Sequence, residues 1–268
     1  MPVCDRALML AAVFGAVSLP LAARAQNLPV VNVNNEIGLA ADVMLQDQGY
    51  DHLSGGGASA EYSGWQPGLD AKASVMKDLW GISNVYAAAR FNFNDGESSL
   101  GPSPAYAGTF NRQTENLGVE LGKGFLITDK FLLTPFIQGG YTNLQSSIAN
   151  VTTTTANGFV GLGLRGDYAL TDRLVVTGRL GWAETLGGNI NTGANENVGY
   201  GNGPMWQAGI GLDYLLYSHV HLYGGVDYTD YTLERGGYFQ QVGPFAPQRA
   251  AQANFNDLNF HLGIAWGF

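Results

Sequence analysis

Ten stretches of this chain alternate apolar residues with small or polar ones at period two. Strict alternation is the signature of a strand whose two faces meet different surroundings. The stretches fall near residues 37–45, 69–75, 85–93, 117–122, 133–141, 160–168, 174–182, 206–214, 220–228 and 258–268. In the last, Leu258, Phe260, Leu262, Ile264, Trp266 and Phe268 oppose Asp257, Asn259, His261, Gly263 and Ala265. After the first 25 residues no stretch is apolar enough for a transmembrane helix.

The opposing set decides between a soluble sandwich and a barrel in lipid. A sandwich buries one face and exposes charge on the other. Here the second face is mostly glycine and other small residues, which suits a crowded lumen. The chain holds 38 glycines and only 13% charged residues, against about 25% for a soluble domain. The predicted fold class is therefore all-β: a transmembrane, up-and-down, antiparallel β-barrel. Ten strands are expected, each spanning the bilayer with about 9–11 residues. Eight is the alternative, and it would discard a clear hairpin.

The connections alternate in length. Short links are expected at 77–80, 127–130, 170–173 and 218–219, and long ones at 46–63, 95–110, 144–156, 187–203 and 232–253. Short periplasmic turns and longer extracellular loops are the outer-membrane pattern, with both chain ends in the periplasm. Aromatic residues near strand ends extend it. Trp80, Phe125, Phe131, Tyr168, Tyr217 and Trp266 form a predicted periplasmic girdle, and Trp65, Phe93, Tyr141, Trp206 and Tyr228 an outer one. Such rings favour the interface between hydrocarbon and water.

Residues 1–25 read as a secretory signal peptide. Arg6 precedes an apolar run from Ala7 to Val17, and Ala23-Arg24-Ala25 supplies a small-x-small cleavage pattern. Residues 26–35 are expected to form a periplasmic N-terminal segment, and 36–268 the outer-membrane barrel. Cys4 lies in the leader, so the mature chain has no disulfide or thiolate metal site. Without Arg6, Arg24 and Asp5, 11 basic and 21 acidic residues remain, an excess that argues against nucleic acid as a partner.

The final Phe260-His261-Leu262-Gly263-Ile264-Ala265-Trp266-Gly267-Phe268 resembles the last strand of outer-membrane β-barrel families. Thr134-Pro135-Phe136-Ile137-Gln138-Gly139-Gly140-Tyr141 is similar to a strand of small opacity-type and porin-family barrels. The resemblance covers residues 36–268. It implies that Phe260, Leu262, Ile264, Trp266 and Phe268 form an assembly signal read by the barrel assembly machinery. It implies outer-membrane lipid and lipopolysaccharide as further partners.

The expected lumen holds a charge set: Lys72, Arg90, Arg165 and Arg179 against Asp42, Asp70, Glu120, Asp167, Asp213, Asp227 and Asp257. In a narrow barrel these groups fill the interior and pair across strands, or they form a constriction that selects solutes. The leading expectation is a surface-displayed structural or interaction barrel with a largely filled lumen, and no enzyme. A porin-like diffusion channel is the alternative. An omptin-like surface hydrolase is a second one, with Asp51, His52, Asp227 and Asp230 as its best local residues. Ten-stranded omptin-like proteases need an Asp–His pair at the outer rim, and His221 and His261 point inward instead. No catalytic motif, cofactor fingerprint or metal spacing stands out. Gly161-Leu162-Gly163-Leu164-Arg165-Gly166 imitates a dinucleotide motif but opens no helix.

Overall fold

A strand with one lipid face and one lumen face is stable in a bilayer only if both backbone edges are paired. The computed structural model describes residues 28–50, 60–100, 109–148, 151–192, 196–234, 238–239, 248–249 and 252–268. A four-residue helix, α1 (Pro29–Asn32), precedes β1 (Glu36–Tyr50), β2 (Ala60–Leu79), β3 (Ile82–Leu100) and β4 (Thr109–Lys123). Next come β5 (Phe125–Thr128), β6 (Phe131–Ile148), β7 (Val151–Ala169), β8 (Leu174–Thr192) and β9 (Glu196–Gly199). The last are β10 (Pro204–Tyr217), β11 (Val220–Leu233), β12 (Tyr238–Phe239), β13 (Gln248–Arg249) and β14 (Ala253–Gly267).

Ten of these are the staves of a closed antiparallel barrel, in the order β1-β2-β3-β4-β6-β7-β8-β10-β11-β14. The seam joins first to last: β14 pairs with β1 from Glu36↔Gly267 to Tyr50↔Ala253. Short β5 continues β4 along β6 after a break at Gly124, whose N–H donates to the Asn84 carbonyl at 2.8 Å. The ten-strand expectation holds, and the eight-strand alternative does not.

The alternation places side chains as expected. Leu180, Ile137 and Leu262 are 65%, 63% and 62% exposed on the outer face, where hydrocarbon is their solvent. Their sequence neighbours point into the lumen. Gly163 lies directly under the Phe136 ring, where a Cβ would collide with it. The hairpin at Trp80-Gly81 turns with φ of 49° and 82° at its two central residues. Positive φ at both matches the right-handed twist of the flanking strands.

The strands are longer than expected. The staves run from 14 to 20 residues, and the excess lies on the long-loop side. There β6 and β7 stay paired to Ile148↔Val151, so the long link expected at 144–156 shrinks to residues 149–150. The physical reason is local. Ser146, Ser147 and the run Thr152–Thr155 pair across this hairpin, and threonine suits a pleated surface in water as well as in lipid.

Residues 28–35, expected as a periplasmic lead-in, fold into the short-turn mouth of the barrel. Val30, Val31 and Val33 are buried against Met76, Tyr86, Leu132, Phe136, Ala169 and Val175. Asn34 Nδ2 donates to the Val30 carbonyl (2.9 Å) and to Asp167 Oδ2 (3.0 Å), and the Met76 N–H donates to Asn35 Oδ1 (3.0 Å). The Phe268 N–H donates to the Asn35 carbonyl at 3.1 Å. The leader proposed for residues 1–25 lies outside the described residues.

The two faces set a test. Leu262→Arg puts a cation at mid-belt and should cost about 2–4 kcal/mol, whereas Ile127→Arg, at a short turn near the interface, should cost about 0–1 kcal/mol. Urea unfolding of both variants in lipid vesicles checks the difference.

Candidate functional site

Alternation forces every second residue of ten staves into one narrow interior, where charge must find a partner. Three layers result.

The first layer, at the short-turn mouth, is the apolar cluster around α1. The second is polar. Arg90 bridges two carboxylates, donating from Nε to Asp70 Oδ2 and from Nη1 to Asp227 Oδ2, both at 2.5 Å. His261 Nδ1 lies 3.1 Å from Arg90 Nη2 and 3.5 Å from Asp227 Oδ2. Lys72 Nζ contacts Glu36 Oε1 at 2.5 Å and stands 3.5 Å over the Tyr223 ring. Arg179 pairs with Glu120 at 2.6 Å and donates to Gln138 Oε1 at 2.8 Å. Arg165 pairs with Asp167 at 3.0 Å, and Thr177 donates to the same carboxylate at 2.7 Å. His221 Nδ1 meets Asp213 Oδ1 at 2.5 Å. A cavity of about 240 Å³ lies among these groups.

The third layer faces the long loops and has two halves. On one side Leu144, Tyr200, Met205, Tyr231, Leu233 and Phe255 pack together. Tyr231 and Phe255 stack with centroids 4.5 Å apart. On the other side Gln46, Gln48, Gln66, Asn94, Ser98, Arg112 and Thr114 are buried. Arg112 donates to Gln48 Oε1 and to Ser98 Oγ, and Thr114 donates to Gln66 Oε1 at 2.9 Å.

The expected lumen residues thus all face inward, in distinct groups. Asp70, Arg90 and Asp227 meet directly; Arg179 joins Glu120, and Arg165 joins Asp167. Lys72 takes Glu36, a partner that the sequence did not single out, and Asp213 takes His221, which was expected to point inward. Asp42 accepts from Asn94 Nδ2 at 2.8 Å. Asp257 is buried opposite Gln46 in the register of β1 and β14. The polar outer layer was missed, and Arg112 with it. Its strand segment lies beyond the expected membrane span, where no apolar face marks a strand in the sequence. Asp230 is half-buried outside the charge cluster, and Asp51 and His52 lie outside the described residues. Phe260, Leu262, Ile264, Trp266 and Phe268 all face outward.

A closed ten-stranded barrel with an apolar belt and a polar, charge-paired lumen is an outer-membrane β-barrel. The autotransporter beta-domain family matches residues 29–227, more than half of the chain. The chain belongs to that family, and is an outer-membrane barrel of the autotransporter translocator type. Among curated proteins, none matches it. Among solved structures, the outer membrane protease OmpT from Escherichia coli superimposes with a TM-score of 0.57 at 10% identity. The match covers 87% of this chain and 95% of that one. At such identity the likeness is one of fold. The translocator domain of the autotransporter NalP from Neisseria meningitidis gives 0.39 at 14% identity, covering 99% and 97%.

Arg90 holds the middle layer. Arg90→Met leaves Asp70 and Asp227 facing each other without their cation and should cost about 3 kcal/mol, the lower end for a broken buried pair. Adding Asp227→Asn should recover part of the loss. Urea unfolding followed by tryptophan fluorescence measures both.

Proposed function

We propose that this chain is a closed, surface-displayed structural or interaction barrel, and that its lumen conducts no solutes. One observation carries the reading: apolar and hydrogen-bonded layers fill the lumen at both ends of the central cavity. A diffusion channel needs charged groups lining a continuous water path. Here Arg90, Arg165 and Arg179 are engaged with carboxylates between two packed layers. The staves continue on the long-loop side beyond the expected membrane span, which suits contact with molecules outside the cell.

The reading assigns no catalytic residue. OmpT is a protease on a similar fold, so the His–carboxylate pairs bear on the question. His261–Asp227 and His221–Asp213 both lie inside the barrel. His261–Asp227 is also tied to Arg90. A protein substrate outside the cell meets neither.

The reading includes the route to the membrane: cleavage after Ala25, then recognition of the outward residues of β14 and Phe268 by the assembly machinery. Lipopolysaccharide acyl chains would then solvate the outer-leaflet half of the belt. Edman sequencing of protein extracted from outer membranes should begin at Gln26, and a chain beginning at Met1 would remove the leader from the proposal.

Conductance in planar bilayers tests the closed lumen. The wild type should be silent, and so should a variant lacking residues 28–34. The same deletion combined with Arg112→Ala and Phe255→Ala should give discrete steps, because both layers are then thinned. Stable steps from the wild type would make the protein a porin-type channel and overturn the reading.

A further inference from the structure

Residues 28–35 plug the short-turn mouth, and at the root of this plug three side chains from three staves converge. Glu36 opens β1, Asp213 lies near the end of β10, and His221 lies at the start of β11. One ligand atom from each falls within 4.8 Å of the other two, and all three residues are buried. Glu36 is only 1% exposed and Asp213 5%. Glu36 Oε1 contacts Lys72 and Asp213 Oδ1 contacts His221. The remaining oxygens, Glu36 Oε2 and Asp213 Oδ2, are buried with no hydrogen-bond partner among the described residues. Two ion pairs alone would leave those oxygens uncompensated, and a buried acceptor without a donor is costly. A cation shared between the carboxylates compensates both.

We propose that Glu36, Asp213 and His221 form a binding site for one divalent transition metal of the zinc class. Zinc accepts carboxylate oxygen and imidazole nitrogen together, so two carboxylates and one imidazole suit it. The imidazole disfavours calcium and magnesium, which take oxygen. The Lys72 ammonium is the competitor. It holds Glu36 from the cavity side, and the 240 Å³ cavity that it lines gives it room to withdraw. The metal would fasten the plug to the wall, because Glu36 directly follows Asn35 at the point where residues 28–35 enter β1. Linkage then makes the folded barrel more stable when metal is bound.

The test uses the purified, refolded full chain and zinc chloride, with calorimetric titration and thermal unfolding in the presence of zinc or EDTA. One zinc per barrel is expected, with a higher unfolding temperature than in EDTA. His221→Ala should weaken binding at least tenfold. Lys72→Met should tighten it severalfold, which a site made only of ion pairs would not do. His219→Ala, at the adjacent turn, should bind like the wild type and so separates this site from surface histidine. If His221→Ala fails to refold, cobalt titration of the wild type and of Lys72→Met replaces it, with visible d–d bands of a nitrogen–oxygen site expected. Absence of saturable binding in both the wild type and Lys72→Met overturns the proposal. So does unchanged binding in His221→Ala.

Discussion

Closure of the backbone ladder is the constraint on which everything else here depends. Within hydrocarbon an unpaired N–H or C=O costs several kcal/mol, so the seam between β1 and β14 is as necessary as any hairpin. Once the sheet is closed, pleating decides the rest. Each residue faces either lipid or lumen, and ten staves leave an interior that side chains can fill. The apolar belt is then required by the bilayer, and the small or charged set by the crowding inside. Gly163 under Phe136 and the Arg90 bridge are two answers to the same shortage of space.

Paired charge in the lumen follows from the same geometry. A lone guanidinium such as Arg165 would lose its hydration between packed strands. Asp167 and Thr177, on the same stave and the next, restore it with hydrogen bonds. Pairs of this kind add little net stability, since desolvation offsets attraction. What they add is register. Arg90 reaches Asp70 on a neighbouring stave and Asp227 across the lumen, so slippage of either side of the barrel breaks it.

The fold was legible because alternation reports two unlike surroundings, residue by residue, without any knowledge of partners. Strand ends were not legible by that means. Beyond the belt the outer face meets water while the inner face packs polar side chains such as Gln48 and Arg112, so the apolar signal fades, and Thr152–Thr155 pair as well as Leu162 or Leu164 do. The inward position of the charges was readable, but their pairing was not. Glu36 and Lys72 are 36 residues apart and Arg90 and Asp227 are 137 apart. Which of them meet depends on the stagger of the staves, a property of the closed sheet. Residues 28–35 gave no periodic signal because α1 has only four residues, too few for a helical face to show.

The two filled ends bear differently on what can change. Apart from Tyr200, which precedes β10, the long-loop layer is built from the staves themselves, so emptying it means unpacking the wall. The short-turn layer is built from a segment that is no part of the sheet ladder. Its hold consists of three buried valines, the bonds of Asn34 and Asn35, and one backbone bond from Phe268. Leaving the lumen would break none of the barrel's ladder. It would, however, expose valines to water and strip Asp167 of the Asn34 donor. The plug is therefore the one part of the described lumen whose displacement and return are compatible with an intact barrel. The residues at its root, Glu36 foremost, decide how firmly it stays.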